Sequence, residues 1–484
     1  MTRKTLATVE VLAVCVALLA CASLRAAAAP AWPAVHVLTQ PSGATFEARQ
    51  WGDEWMHGWE TLDGYTILLD ETTGLWEYAV RSSDGRLEPS GCAVAPFSPD
   101  AVPRGFKQKT RPDKRMYETA RAATRGIEAV RPVKVMNLPV LLVGFPDMAG
   151  EYSRSEFSEL LFGNRPAVAT GPGSLRDYYL EVSYGALALS GGTAGVQDWF
   201  TASHNHDYYG SGTSPEGPVR AAKLVREAVL VADASVDFSD YDCDGDGHVD
   251  SIVVIHAGPG AENTGNSKHI WSHSWSLQQA GLQPVVADGV IIDSYTIQPE
   301  RIVLPAKGVQ LEFMSTVGVV AHELGHVLGL PDLYDTDYVS AGVGDWCLMG
   351  SGNWNGIRLP GDCPAHLSAW CKWLLGWTNP ILHRGFEAGR MFRAAAGAQD
   401  VVQMLPNPDG PADWPTGWAW GEYFLVENRF QTGFDAALPG SGLAIWHIDE
   451  HREGNSSGGG ERRLRTCGAM ERAVHDDCPR VCSS

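Results

Sequence analysis

The stretch AHELGHVLGLPD, residues 321–332, combines the spacing of a helix with the spacing of metal ligands. In a helix, His322 and His326 lie one above the other on the same face, so both imidazoles can bind a single metal ion. Glu323, beside the first histidine, can then reach a water on that metal. After the helix the chain can turn and direct Asp332 at the same ion. The pattern therefore predicts a zinc site with His322, His326 and Asp332 as ligands.

The flanking residues explain why this stretch should be a helix that stops where it does. Ser315 or Thr316 can cap its start. Gly329 suits a left-handed exit, and Pro331 prevents the helix from resuming. An apolar stripe faces the core, formed by Val319, Val320, Leu324, Val327 and Leu328. A helix whose histidines are only packed or exposed is the alternative, but it leaves the glycine turn and Asp332 unexplained.

The composition is that of an acidic globular protein. Hydrophobic residues make up 44% of the 484 residues and charged residues 19%, which argues against a disordered chain. The formal net charge is −20, because 57 acidic residues outnumber 37 basic ones. No basic stripe crosses the central region, so nucleic acid is not an expected partner.

The first 30 residues have the features of an export signal and are not expected to join the fold. Arg3 and Lys4 precede an apolar run over 11–24, and three alanines at 27–29 offer a cleavage site. The apolar run is too short to span a membrane comfortably, and no longer one follows. We therefore expect a secreted protein without a transmembrane helix. A lipid anchor on Cys21 at the cell surface is the alternative, because the residues before it loosely resemble a lipoprotein cleavage motif.

Eight cysteines remain after the signal segment, and an even number in an exported chain suggests disulfides. Cys347, Cys363 and Cys371 lie close enough in sequence to staple the region after the predicted zinc helix, but the sequence does not select the pair. Cys92 stands apart from them. Its thiolate could in principle ligate the zinc ion, although no surrounding motif supports that role.

The character of the chain changes several times along its length. Residues 31–100 are β-rich, and residues 101–134 form a basic segment, most simply a solvated linker that proteases can cut. Residues 135–384 alternate buried strands with helices, which indicates an α/β arrangement. Residues 385–455 are strand-rich again, and residues 456–484 form an atypical tail. The predicted strands are 65–69, 75–80, 140–143, 186–189, 252–255, 290–292, 423–427 and 443–446, and the predicted helices other than the zinc helix are 155–162, 174–182, 218–232 and 365–375.

A second group of carboxylates occupies a short loop before the strand at 252–255. Asp242, Asp244, Asp246 and Asp250 stand at relative positions 1, 3, 5 and 9 of this loop, with glycine at position 6. Alternate side chains of a tight loop converge, and four carboxylates would repel one another without a cation. No glutamate stands at position 12, so the loop is not an EF-hand. We expect a calcium site, and a polar turn without an ion is the alternative.

Five stretches resemble one family, the immune inhibitor A-type secreted zinc metalloproteases. They are HELGHVLGLPDLYD from His322, GVGDWCLMGSGNW around Met349, PAHLSAWCKWLLGW from Pro364, YFLVENRFQTGFDAALPGSGLAIWHIDE from Tyr423 and GDEWMHGWETLDGYTI from Gly52. The resemblance covers about residues 38–455. It implies an α/β (α+β), zincin-like catalytic domain with an N-terminal β-rich propeptide and a C-terminal β-rich segment. After Asn455 the chain departs from the family's pattern, so we expect the C-terminal domain to be truncated or replaced.

The resemblance also implies the roles of individual residues. His322, His326 and Asp332 would bind zinc, Glu323 would be the catalytic base, and Met349 would form the methionine turn beneath the metal in metzincin proteases. Most metzincins carry a third histidine where this chain has Asp332, so the chain is similar to their aspartate-bearing branch.

The expected function is that of a zinc-dependent metalloendopeptidase acting on proteins or peptides. Glu323 would take a proton from a zinc-activated water and pass it to the leaving amine. His366 is a candidate second oxyanion donor by residue type, but a histidine that starts an apolar helix is more often structural. Trp354 can line the cleft or simply pack. The alternative from another class is a non-catalytic, calcium-stabilised adhesion or binding protein on a protease fold.

An open zinc site would be hazardous inside the producing cell, so an attached inhibitory unit is expected. Residues 31–100 carry strands but no chemistry of their own, which suits a propeptide. Cleavage between about Arg104 and Lys134 would then release a catalytic domain that begins close to Val135. The chain is therefore expected to be a zymogen.

Overall fold

The computed structural model has a mixed α/β architecture. It describes residues 27–94, 106–112, 135–163, 173–210, 217–306, 309–335, 340–383, 389–404, 422–449 and 464–466. The predicted signal residues before Ala27, the alternative anchor Cys21, and most of the basic segment and of the tail lie outside these ranges. The helices are α1 Arg154–Phe162, α2 Leu175–Val182, α3 His206–Tyr209, α4 Gly217–Ala232, α5 Ala261–Thr264, α6 Val317–Val327 and α7 Ala369–Leu374.

The strands form two large sheets, a smaller C-terminal sheet and two ribbons. They are β1 Ala27–Ala28, β2 Val35–Thr39, β3 Thr45–Gly52, β4 His57–Thr61, β5 Thr66–Leu69, β6 Trp76–Arg81, β7 Leu87–Ala93, β8 Val135–Asn137, β9 Val140–Gly144, β10 Ala188–Ser190, β11 Phe200–Thr201, β12 Ile252–Pro259, β13 His273–Ser276, β14 Val285–Ala287, β15 Val290–Ile292, β16 Ser294–Ala306, β17 Val309–Met314, β18 Ile381–Leu382, β19 Val402–Met404, β20 Glu422–Arg429, β21 Gly442–Asp449 and β22 Leu464–Thr466.

Strands β2 to β7 form an antiparallel sheet in chain order. The predicted strands at 65–69 and 75–80 are confirmed as β5 and β6. Ala48, Ile67 and Tyr78 are buried together on one face, so the N-terminal unit has its own small core. Cys92 on β7 packs against this core and is not among the residues that converge around His322.

Part of the predicted basic linker is packed on this sheet. Arg111 is only 7% exposed. Its guanidinium lies 4.0 Å from the centre of the Trp51 ring and 2.8 Å from the Glu60 carboxylate, and Phe106 packs against Tyr78. The expectation of a solvated linker is therefore wrong for Arg111, because a carboxylate and an aromatic face replace water around its cation, whereas Lys107 and Lys109 are exposed.

The central sheet has the strand order β1-β13-β16-β12-β9-β11, with β17 also paired to β16. Strands β11, β9, β12 and β16 are parallel, whereas β13 runs antiparallel to β16. Every residue of β9 and β12 is buried, which confirms the predicted buried strands at 140–143 and 252–255. Successive residues of β9 face opposite cores, one shared with helices α2 and α6 and the other with α4. A parallel sheet covered on both faces explains the continuous apolar runs in the sequence.

Several predicted elements have different bounds or places. The strand at 290–292 exists as β15, but it pairs with β14 in a separate ribbon. The helix expected over 365–375 is the shorter α7, because Ser368 caps its start by accepting a hydrogen bond from the Cys371 amide. Strand β13 and the β16–β17 hairpin were not anticipated. Within the described ranges, no helix is long and apolar enough to cross a membrane.

Residues 27–30 belong to the folded structure, contrary to the expectation that the chain up to residue 30 stays outside it. Ala27 and Ala28 add an antiparallel edge strand to β13. Ala29 and Pro30 follow in buried positions. Alanine and proline have little polar surface to desolvate beyond the backbone, so a segment that looks like a cleavage site can also fill a narrow space.

The C-terminal strands share a core with the predicted catalytic region. Strands β18 to β22 form one sheet in chain order. Tyr423, Leu425 and Trp446 from this sheet are buried in the same cluster as Leu324 of helix α6. The packing of the described residues therefore continues across residue 384, where the sequence suggested a domain boundary. Strand β22, from the predicted tail, pairs with β21, so the sheet also extends past residue 455.

A buried ion pair joins this C-terminal sheet to the region that follows helix α6. Arg429 on β20 is fully buried. Its Nε donates to an Asp435 carboxylate oxygen at 2.7 Å, and its Nη1 donates to the Trp346 carbonyl at 2.8 Å. Burial alone would raise the pKa of Asp435, but the charge of Arg429 holds that pKa well below its ordinary value. The pair is therefore ionised at neutral pH and stabilises the docked sheet.

Asp435→Ala should lower the free energy of unfolding by about 3–5 kcal/mol at neutral pH, because it leaves Arg429 buried without its main counter-charge. The matched control is Asp400→Ala, which breaks the exposed pair between Arg393 and Asp400 and should cost at most about 1 kcal/mol. The folded-state pKa of Asp435 is depressed, so its contribution is full above the unfolded-state value of about 3.9 and declines as the pH falls below it.

Urea unfolding at neutral and acidic pH measures both effects. Equal losses for the two variants, or a cost for Asp435→Ala that does not shrink in acid, would contradict the assignment.

Candidate metal centre

Helix α6 presents the predicted metal ligands from the interior of the protein. All of its residues from Val317 to Val327 are buried. Thr316 precedes the helix, but the predicted side-chain cap is absent, because its Oγ1 donates to the Pro360 carbonyl instead. Gly329 has a φ of +89°, the left-handed conformation expected at the helix exit. The turn that follows brings Asp332 back to the helix.

The three predicted zinc ligands converge. His322 Nε2 lies 3.1 Å from His326 Nε2, and each of these nitrogens lies 3.2 Å from Asp332 Oδ1. Ligands bound tetrahedrally to one zinc at about 2.0–2.1 Å would be separated by about 3.3 Å. The spacing of the three atoms therefore suits a single zinc ion.

The other ring nitrogens show which atoms face the centre. His322 Nδ1 lies 2.8 Å from the Leu348 carbonyl, and His326 Nδ1 lies 2.8 Å from the Leu330 carbonyl. A carbonyl can only accept, so both Nδ1 atoms carry the proton in the neutral imidazoles and both Nε2 atoms present lone pairs. Two lone pairs and the Asp332 carboxylate then point at one place, an arrangement that a cation stabilises and that fits zinc.

The surroundings of Asp332 and of the helix support the same centre. Asp332 Oδ1 is buried and accepts no hydrogen bond from the described residues, as expected for an oxygen that a metal ion would bind. Met349 packs beneath the helix, where a Cβ on Gly325 would lie only 2.5 Å from the methionine sulfur. The Met349 carbonyl also accepts from the Leu333 amide at 2.7 Å. Glycine at 325 thus permits the close approach of Met349 to the helix.

Glu323 lies beside the ligands and is buried. Burial raises the pKa of its carboxyl well above the ordinary value, and the nearby acidic groups Glu54 and Asp332 raise it further. Its Oε1 accepts a hydrogen bond from the Ala29 amide at 2.7 Å. A carboxyl group with a raised pKa next to a metal centre is suited to accept and return a proton.

The segment from Ala27 to Trp32 runs through the cleft above Glu323. Ala28 pairs with His273 of strand β13. Trp271 Nε1 donates to the Ala29 carbonyl at 2.8 Å, and Trp354 Nε1 donates to the Pro30 carbonyl at 2.9 Å. Trp354 therefore contacts this segment, and it is also packed against Val319 in a buried cluster. Sequence reasoning missed this segment, Trp271 and strand β13; the alternation of aromatic and polar residues at 271–276 was the available signal.

The N-terminal sheet reaches the same place through the loop after β3. The Ala31 amide donates to the Gly52 carbonyl at 2.8 Å. Asp53 Oδ2 lies 3.5 Å from the hydroxyl of Tyr334, two residues beyond the ligand Asp332. The sequence offered no chemistry in this unit, yet its GDEWM loop borders the metal centre.

His366 is held in a buried polar network and is not placed as an oxyanion donor. Its Nε2 lies 2.7 Å from a Glu181 carboxylate oxygen, and its Nδ1 lies 3.1 Å from Lys372 Nζ. Both ring nitrogens are thus engaged away from the three ligands, which supports the structural alternative. Its backbone does matter to the centre, because the His366 carbonyl accepts from the Leu348 amide at 3.3 Å, and Leu348 in turn orients His322.

The predicted calcium loop is folded tightly. Asp242, Asp244 and Asp246 each offer a carboxylate oxygen within 4.8 Å of the others. Asp250 is not brought into this group; its Oδ2 accepts from the Cys243 amide at 3.3 Å. The loop also closes on itself, since the Asp242 carboxylate accepts from the amides of Gly245, Asp246 and Gly247. Three of the four predicted ligands are therefore in position to share a cation.

The described cysteines carry free thiols, so the disulfide expected in the region after helix α6 is not formed among them. They are Cys92, Cys243, Cys347, Cys363 and Cys371. Cys347 and Cys371 lie on either side of Ser368, which contacts both sulfurs at 3.3 Å. Cys363 lies elsewhere and contacts the Phe434 carbonyl.

The chain is similar to known peptidases over part of its length. Residues 147–378 match the model of a family described as immune inhibitor A peptidase M6, catalytic domain. The chain is 32% identical over 285 residues to the pre-pro-metalloprotease PrtV of Vibrio cholerae serotype O1, a match that covers 49% of this chain and 29% of that protein. It is 31% identical over 256 residues to immune inhibitor A of Bacillus thuringiensis subsp. alesti, covering 45% of this chain and 34% of that protein. The chain thus matches about a third of the length of these relatives.

Proposed function

Since residues 147–378 place the chain in the immune inhibitor A family of peptidases, we propose that it is a secreted, zinc-dependent metalloendopeptidase that hydrolyses peptide bonds in proteins. The observation that carries this proposal is the convergence of His322, His326 and Asp332 beside Glu323. A non-catalytic relative would not need to keep a buried carboxyl group next to a complete set of three ligands.

The roles of the residues follow from their positions. His322, His326 and Asp332 would hold the zinc ion, which supplies Lewis acidity that acidifies a water and polarises the scissile carbonyl. Glu323 takes the proton of that water and delivers it to the leaving nitrogen. The contact between Glu323 Oε1 and the Ala29 amide, at 2.7 Å, supports this role, because it brings the carboxyl oxygen to the nitrogen of a peptide bond.

Glu323→Gln should retain zinc and lose about 10²–10⁴-fold in kcat/KM, because the proton acceptor is gone while the ligands stay. Asp332→Ala should instead weaken zinc binding by more than roughly 10–100-fold, which is the loss typical when a residue that only hydrogen-bonds a metal ligand is removed. Zinc affinity is measured by competition with a chromogenic chelator, and hydrolysis by peptide turnover.

Substantial hydrolysis by zinc-loaded Glu323→Gln would refute the role of Glu323. Unchanged zinc affinity in Asp332→Ala would mean that another carboxylate is the third ligand, with Asp335 the nearest candidate.

We assign an inhibitory role to the N-terminal unit. Ala29 is hydrogen bonded to Glu323, and Ala31 is tied to Gly52 at the end of β3, so the segment in the cleft is anchored to the N-terminal sheet. A substrate cannot occupy the cleft while this segment does. Because residues 106–112 pack on the same sheet through Arg111, a cut that frees the unit should fall after them.

The uncut chain should be inactive, and the active enzyme should begin between residue 113 and Val135. N-terminal sequencing of the active form locates the cut, and peptide hydrolysis before and after the cut measures activation. The same treatment of Glu323→Gln is the control that separates cutting by an added protease from cutting by the enzyme itself. Full activity in a chain that still carries the intact N-terminal unit would contradict the zymogen proposal.

We assign calcium binding to the loop of Asp242, Asp244 and Asp246, with Asp250 next to it. The ion would offset the repulsion among the three grouped carboxylates and so stabilise the folded state. Removal of calcium should lower the melting temperature, and Asp244→Asn with Asp246→Asn should remove that dependence. Asp233→Asn together with Glu71→Gln, two exposed changes away from the loop, removes the same number of charges and is the matched control. A wild-type melting temperature that ignores calcium would contradict this assignment.

A further inference from the structure

Backbone hydrogen bonds hold the segment from Ala27 to Trp32 beside Glu323. Ala27 and Ala28 pair antiparallel with Ser274 and His273 of strand β13. Indole nitrogens of two tryptophans donate to the next two carbonyls, and the Trp32 amide donates to the Glu262 carbonyl at 2.8 Å. These contacts involve main-chain atoms of the segment, so any peptide in an extended conformation can make them.

The register of this segment relative to Glu323 identifies the bond at the reacting centre. The nitrogen at Glu323 Oε1 is that of Ala29, so the Ala28–Ala29 peptide bond lies where a scissile bond would lie. In a substrate with the same register, the residue before the bond pairs with β13. The residue after the bond occupies the place of Ala29, and its nitrogen receives the proton from Glu323.

The space around the Ala29 side chain is small. Ala29 is 0% exposed and packs with Val319 and Trp354, which are themselves 7% and 6% exposed. Val319 lies on helix α6 one turn before His322, so this wall belongs to the same rigid helix as the metal ligands. Trp354 is fixed by its hydrogen bond to the Pro30 carbonyl and lies close to Trp32, with ring centroids 6.3 Å apart.

A second small side chain of the segment is buried in a separate group of residues. Ala31 is 8% exposed and packs with Ala261 and Trp271. Ala29 and Ala31 are therefore both confined, but by different neighbours.

We infer that Val319 and Trp354 form a specificity pocket that restricts the substrate residue immediately after the scissile bond to a small side chain, namely glycine, alanine or serine. This inference rests on the proposed function and adds the substrate class to it. A branched or aromatic side chain at this position would require the helix or the tryptophan to shift, and both are held by packing that also supports the metal centre.

The test uses the activated enzyme and peptides that differ only at the residue after the cleaved bond. Mass spectrometry of the products identifies the bond that is cleaved. Peptides with alanine should exceed those with leucine or phenylalanine by at least about tenfold in kcat/KM, in the range that pocket size usually contributes. Val319→Ala should enlarge the pocket and raise kcat/KM for leucine relative to alanine by about tenfold.

Val320→Ala is the matched control, because the same truncation falls on the neighbouring residue of the helix. Val320 is 3% exposed and faces the other side, in the core shared with the central sheet. Its substitution should lower stability and leave the ratio of leucine to alanine unchanged. Val319→Ile, which adds one methylene, should shift preference from alanine towards glycine and keeps the test decisive if Val319→Ala folds poorly.

A wild-type preference for leucine or phenylalanine after the cleaved bond would overturn the inference, as would a ratio that Val319→Ala leaves unchanged. If no peptide is cleaved in a zinc-dependent manner, the proposed function fails. In that case the pocket is tested separately, by measuring the binding of the same peptides to the Glu323→Gln variant from which the N-terminal unit has been removed by the same cleavage. Equal dissociation constants for the alanine and leucine peptides would overturn it, and tighter binding of alanine would support it.

Discussion

Three acceptor atoms brought within 3.2 Å of one another form the constraint on which the rest of the structure depends. The lone pairs of His322 and His326 and the carboxylate of Asp332 repel one another unless a cation lies between them. The three atoms are held together for two reasons. Both imidazoles donate the Nδ1 proton to a backbone carbonyl, and helix α6 is buried along its whole length. A surface helix with the same spacing would let the rings turn away.

The C-terminal sheet supports this centre through a chain of contacts. Asp435 accepts from the His366 amide at 2.9 Å, the His366 carbonyl accepts from the Leu348 amide, and the Leu348 carbonyl orients His322. Arg429 holds Asp435 in place from strand β20. Three hydrogen-bonded links therefore connect the ion pair to a predicted metal ligand. Buried charges that are fixed by several partners define one geometry more strictly than apolar packing does.

The N-terminal side of the molecule closes the cleft from above. Strand β13 offers an open edge, and an edge strand with unpaired amides and carbonyls will bind an extended segment. Here that segment is Ala27–Ala28, followed by Ala29 at Glu323. The tryptophans that hold it, Trp271 and Trp354, use their indole nitrogens on backbone carbonyls, so recognition of the main chain is separate from the size of the side-chain pockets.

The sequence by itself determined the helix and the turn after it, the grouping of His322, His326 and Asp332 beside Glu323, and the buried strands, because those features depend on spacing within one short stretch. A period of 3.6 residues aligns His322 with His326 whatever the surroundings, and continuous apolar runs require a sheet covered on both faces. Only the tertiary structure decided how distant segments meet. It placed Ala29 against Glu323 across 294 residues, joined Arg429 to the Trp346 carbonyl, packed Arg111 on Trp51, and kept Asp250 out of the carboxylate group. Such contacts depend on the whole path of the chain, and no local pattern encodes them.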